Sequence, residues 1–152
     1  MLEFSFRPRY RGLAWLTVGL GGGALAAAAA LAWPAYAYGF GGAGAVLGSL
    51  YLGSPAWRYR VTLDDDALEV IDAKGDRRFR LAWGDVTRCI VSRDTKTCVV
   101  SGGSAEQTLI VPGPGALAPY DIADKRRLFD EIVARVPADK IEEVDLIERA
   151  DR

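Results

Sequence analysis

Two cysteines, an acidic triplet and a run of arginines are the groups in this chain whose types and spacing could do chemistry. Cys89 and Cys98 lie at equal distances from an Arg93-Asp94 turn. In a two-residue hairpin they would face each other across the strands. Two such thiols could make a redox pair or half a metal site. No third cysteine accompanies them, and a reducing cytoplasm would keep them as thiols. Their expected role is that of two small buried hydrophobes. Asp64, Asp65 and Asp66 could offer oxygen ligands to a hard cation. In a tight turn, three adjacent carboxylates point in alternating directions, so a solvated acidic turn is expected. Arg77, Arg78 and Arg80 place positive charge on one predicted strand, with Arg88, Arg93 and Lys96 following. A solvated sheet face is the plain reading; contact with anionic lipid under the cytoplasmic leaflet is the functional one. Gly102-Gly103-Ser104 and Gly113-Pro114-Gly115 lack the Lys-Ser/Thr ending of a phosphate loop and read as turns.

Composition narrows the chemistry further. The 152 residues include no histidine. This removes Ser-His-Asp and Cys-His catalytic units and histidine-ligated metal. No nucleophile–base pair can be assembled unless Lys or a carboxylate substitutes, and no carboxylate pair has a setting for acid–base work. An enzyme is therefore not expected, nor a cofactor, a metal site or a small-molecule ligand. The formal net charge of −1 lacks the basic footprint of nucleic-acid binding.

The elements that must hold these groups begin with an anomaly. Residues 12–57, 46 in all, contain no Asp, Glu, Lys or Arg. A spanning helix needs about 20 apolar residues, so the run has room for two. The break falls at Trp33-Pro34-Ala35-Tyr36, where proline interrupts a helix and aromatic rings suit a membrane interface. This spacing predicts helices over 13–32 and 35–52. Arg7, Arg9 and Arg11 precede the run, Arg58 and Arg60 follow it, and the turn between is uncharged. By the positive-inside rule both termini face the cytoplasm. A cleaved signal peptide, with Ala35-Tyr36-Ala37 as the cleavage site, is the competing reading. The long apolar stretch before it and the second one after it argue against that.

Gly19 and Gly23, like Gly44 and Gly48, have the four-residue spacing of close-packing helix faces. Such faces could pack the two helices on each other or dock one of them on another membrane protein. No ionisable residue lies within the run, which argues against a proton or ion pathway.

Beyond residue 57 the period changes to that of strands. Six short segments are predicted: 59–63, 68–70, 77–81, 86–92, 97–101 and 107–111. A helix follows, with Asp121 as its N-cap and an apolar stripe of Ile122, Leu128, Phe129, Ile132, Val133 and Val136, ended by Pro137. Residues 140–149 could form a second, weakly amphipathic helix through Ile141, Val144 and Ile147.

This arrangement resembles the bacterial pleckstrin-homology-like membrane proteins. The segment from Val61 through Asp64-Asp65-Asp66 to Val70 looks like the opening hairpin of that family. Phe79-Arg80-Leu81-Ala82-Trp83-Gly84-Asp85-Val86 looks like its strand running into a Trp-x-acidic corner, and Lys125 to Ile132 sits where its helix plugs the barrel. The resemblance implies a membrane helical hairpin followed by an α+β domain: an antiparallel meander or partly open barrel closed by a C-terminal helix. Eukaryotic relatives bind phosphoinositides through basic residues in the first hairpin loop. Here that loop is acidic, and the headgroup site does not carry over. Six strands are counted where the full fold has seven.

The expected organisation is a cytoplasmic segment 1–11, a transmembrane hairpin 12–57, a β domain 58–137 and a charged helix or tail 138–152, in a two-pass protein of the bacterial inner membrane. The expected function is that of a non-enzymatic, membrane-anchored interaction module. It would be an accessory or assembly subunit docking on a larger membrane protein complex, for example respiratory or photosynthetic, with Gly19, Gly23, Gly44 and Gly48 as the interface. The alternative is a membrane-tethered sensor of anionic lipid using Arg77, Arg78 and Arg80.

Overall fold

The computed structural model describes residues 1–116 and 118–144. They form two compact units: Pro8–Pro55, and residues 1–7 together with the chain from Ala56 onward.

The first unit is a helical hairpin. Helix α1 spans Arg11–Ala30 and helix α2 spans Ala35–Leu52. Between them the chain reverses at Ala32, which takes a left-handed φ of 50°. The Trp33 N–H reaches back to the Ala28 carbonyl at 3.0 Å. This is the six-to-one bond of a Schellman closure, with alanine where glycine is usual. Pro34 then opens α2, where its missing N–H costs nothing. Tyr38 donates its hydroxyl to the same Ala28 carbonyl at 3.0 Å. At the far end Tyr10, the N-cap residue of α1, donates its N–H to the Tyr51 hydroxyl at 2.9 Å. The helices therefore run antiparallel.

The second unit holds nine strands among the described residues. Strands β1 (Leu2–Pro8), β2 (Arg60–Leu63), β3 (Ala67–Ile71), β4 (Arg77–Ala82) and β8 (Tyr120–Ile122) form one sheet in the order β4-β3-β2-β1-β8. Strands β5 (Arg88–Ser92), β6 (Thr97–Ser101), β7 (Thr108–Val111) and β9 (Ile141–Glu143) form the other, in the order β7-β6-β5-β9. Alternation turns Val61, Leu63, Leu68, Val70 and Leu81 of the first sheet inward, with Cys89, Val91, Cys98, Val100, Leu109 and Val111 of the second. Helix α3 (Lys125–Arg135) adds Leu128, Phe129 and Ile132 to the same core. Their spacing puts all three on one helical face. The fold is thus α+β, with helices and two separate sheets, and the strands do not close into a barrel.

Several expectations are corrected. The first eleven residues hold β1, whose Phe4 pairs with Val61. Alternating Leu2, Phe4 and Phe6 bury against the core, while Glu3, Ser5 and Arg7 turn away. Helix α3 starts after Asp124, a left-handed residue at φ 51°, and Asp121 belongs to β8. The helix expected from residue 140 is instead β9, which runs parallel to β5 with Cys89 opposite Ile141. Arg88 and Arg93 on or beside β5 hold Glu142 at 2.6 Å and Glu143 at 3.0 Å. Two carboxylates facing two guanidiniums suit a strand here, where alternating contacts matter more than a weak helical stripe. The remainder of the expected helix or tail, residues 145–152, lies outside the described residues.

Candidate functional site

The glycines of the hairpin divide into two sets. A Cβ at Gly21 would lie 2.6 Å from the Gly41 carbonyl oxygen and 2.6 Å from the Ala45 nitrogen. A Cβ at Gly41 would lie 2.9 Å from the Gly21 carbonyl oxygen. At Gly48 it would meet the Ala14 carbonyl oxygen at 2.8 Å, and at Gly44 the Thr17 carbonyl oxygen at 3.4 Å. These are backbone contacts that no side-chain rotation can relieve. Gly44 and Gly48 are therefore used by the hairpin's own seam. Gly21 and Gly41, not singled out by the four-residue spacing, belong to the same seam. Nothing lies within 4 Å of a Cβ at Gly19 or Gly23. Those two face away from α2 and remain as the outward small-residue face.

The rest of the hairpin surface is apolar. Its buried positions are small: Ala14, Gly21, Ala28, Gly41 and Gly48. Its large residues turn outward, with Leu20 and Leu47 each 67% exposed and Phe40 81% exposed. This is the reverse of a water-soluble helix pair, which buries its large apolar side chains. Sheltering each such side chain is worth roughly 1.5–3 kcal/mol. Helix α1 is long and apolar enough to cross a membrane. By the same measure α2 is not, since its tyrosines and glycines lower its hydropathy.

The β unit gives each candidate charge a place. Arg77 and Arg80 both pair with Glu69, at 3.3 and 3.5 Å, and Arg80 also approaches Asp64 at 3.9 Å. Arg78 instead lies over the Tyr59 ring, 5.8 Å from its centre. The three arginines thus do not act as one free basic patch. Strand β4 bulges between its pairings with Val70 and Ile71, which shifts Arg77 and Arg78 out of simple alternation.

The acidic triplet builds a turn. The Asp64 carboxylate accepts the backbone N–H of Ala67 at 2.5 Å and of Asp66 at 2.9 Å. These two hydrogen bonds hold its carboxyl below the usual carboxylate range, against a small opposing effect of burial. Asp72 closes the next turn in the same way through the N–H groups of Lys74 and Asp76. No cluster of three or more metal-ligating groups occurs among the described residues.

The cysteines are both buried, but not directly opposed. A four-residue turn sets the register, so Cys89 faces Val100 and Cys98 faces Val91. The thiols lie diagonally on the inner face. Burial pushes the Cys89 thiol up to about 11 and Cys98 higher still, where the neighbouring Cys89 adds to the effect. Such thiols are poor nucleophiles and poor metal ligands at neutral pH.

No protein family, curated protein or solved structure matches the chain. Sequence reasoning missed one feature altogether. Phe6, Tyr59, Phe79 and Tyr120 line a cleft of about 250 Å³ together with Val70, Leu109 and Ile110. They come from five strands and a loop, and no local pattern announces them.

Proposed function

We propose that this chain is a non-enzymatic interaction module anchored in a membrane by the α1–α2 hairpin, with both termini on the cytoplasmic side. The observation that carries the reading is the inverted hairpin: glycine and alanine inside, leucine, phenylalanine and tryptophan outside, and no charge between residues 12 and 57. A bilayer suits that surface, and Arg11 and Arg58 bracket it. The outward Gly19–Gly23 face supports docking on a larger membrane protein, since close backbone approach is how helices associate in lipid. Two mainly antiparallel sheets with the amphipathic helix α3 in their core support the pleckstrin-homology-like reading of the β unit. The lipid-sensor alternative loses ground, because Glu69 and Asp64 neutralise two of its three arginines.

The test is purification of the tagged full chain in a mild detergent. A membrane protein recovered in stoichiometric amount, and lost with Gly19→Leu and Gly23→Leu, supports the reading. Recovery of the wild type only as a monomer or homo-oligomer contradicts it.

A further inference from the structure

The ring-lined cleft opens where the two sheets fail to join. Strands β4 and β7 are each the last strand of their sheet, and neither pairs with the other. At one end the gap is shut: a Cβ on Gly102 would lie 2.7 Å from the Leu81 Cδ1. At the other end the gap widens into the cleft, with Arg78 and Phe79 on the β4 side and Thr108, Leu109 and Ile110 on the β7 side. Phe6 and Tyr120 meet inside it with ring centres 4.9 Å apart and planes tilted by 40°, and Tyr59 meets Phe6 edge-on at 6.1 Å.

Resting on the reading of the chain as an interaction module, we propose that this cleft binds an extended polypeptide segment of a partner protein, which adds as a strand to the free edge of β4 and places one large apolar side chain among the rings.

Three observations select that occupant. First, β4 is an edge strand, with no strand beyond it among the described residues. The Trp83 N–H donates to the Asp66 carbonyl at 3.0 Å. Alternation from there directs the backbone groups of Leu81 and Phe79 to β3 and those of Arg80 outward, as far as the bulge at Arg78. The β7 edge is less free, because the Ile110 carbonyl already accepts the Tyr120 hydroxyl at 3.0 Å. An added strand gains its affinity from backbone groups and its specificity from a pocket for alternate side chains. Second, a volume of about 250 Å³ is below the usual range for a whole small-molecule ligand but suits one leucine or aromatic side chain. Third, charge selects against a second copy of this chain. Antiparallel self-pairing about Phe79 would set Arg78 opposite Arg80, a repulsive cross-strand pair. Arg78 makes no ion pair among the described residues and is held only over Tyr59. An acidic residue of the matching segment therefore finds Arg78 on the β4 side, where the segment adds, while Glu106 lines the cleft just before β7.

The test uses the full chain in nanodiscs and a defined set of fluorescent heptapeptides, acetylated and amidated. Each has Leu, Phe or Trp at its centre with Glu on both sides, and a parallel set has Ala at the centre. The expected result is binding of the apolar-centred peptides, weakened by about tenfold or more with the Ala centre. Methylation of the peptide's backbone nitrogens should abolish binding without touching the protein. Arg78→Glu should weaken it, and a Lys-flanked peptide should recover affinity for that variant. No binding by any peptide, or binding indifferent to backbone methylation, overturns the proposal. The assay contains no membrane partner, so its failure is distinct from failure of the copurification.

Discussion

Gly21 and Gly41 meet across the hairpin so closely that a methyl on either would run into the other's carbonyl oxygen, at 2.6 and 2.9 Å. Each is held there by helix backbone rather than by a movable side chain. Gly21→Ala is expected to push the helices apart and cost roughly 1–3 kcal/mol, the usual penalty for overpacking. Gly19→Ala meets open space and is expected to be neutral or to gain up to about 1 kcal/mol, as alanine replaces glycine in a helix. Thermal melts of the two variants in nanodiscs check the difference.

The Asp64 carboxylate, held low by the Ala67 and Asp66 N–H groups, makes stability depend on pH. Its pKa is lower folded than unfolded, so its contribution is present above the ordinary carboxylate value. It is lost as pH falls through the lower folded value. Asp121 acts in the same direction. Burial raises its pKa, but hydrogen bonds from Lys125 and Ile122 and the charges of Lys125 and Arg7 outweigh that. Unfolding midpoints measured through the acid range should fall below about pH 4, and Asp64→Asn should flatten the fall. A wild-type profile that stays level there contradicts this assignment.

Cys89 and Cys98 are buried thiols with raised pKa values. Neither is expected to react with a maleimide or a disulfide reagent while the protein is folded. Both should react at once in denaturant. Rapid labelling of the native chain would mean that this face of the β unit opens.

Phe129 is 1% exposed in the core, with the Lys96 ammonium 4.9 Å from its ring centre. Phe129→Ala should cost about 3–5 kcal/mol. Lys96→Met removes the half-buried cation and its 3.4 Å ion pair with Asp130, and should cost about 1 kcal/mol or less. Denaturant titration of the full chain separates the two.

Much of this architecture is written locally. The charge-free run announces α1 and α2, and Pro34 marks their turn. Val61, Leu68, Leu81 and Val100 fall on strands where alternation puts them. What escaped was set by distant partners. Leu2, Phe4 and Phe6 alternate as a strand should, but their partner β2 lies beyond the whole hairpin in the chain. Ile141 reads as part of a helical stripe until Arg88 and Arg93 supply partners for Glu142 and Glu143. Gly19–Gly23 and Gly44–Gly48 share one spacing, yet only the second pair meets a neighbour. The rotation of each helix is decided by the turn at Ala32 and the tyrosine bonds at either end, which spacing does not encode. The cysteine register moved because the turn between them has four residues, not two.

The anchored hairpin is the centre of this account, and the two buried native cysteines make it testable by labelling. Single cysteines are placed at Ala35, the first residue of α2 beside the turn, and at Arg11, the first residue of α1. Intact bacterial cells expressing each variant are then treated with a maleimide that cannot cross membranes. The account predicts labelling at residue 35 in intact cells, and at residue 11 only after the cells are permeabilised. Residue 35 shielded until permeabilisation, or both positions labelled alike in intact cells, would contradict a two-pass hairpin with its termini inside.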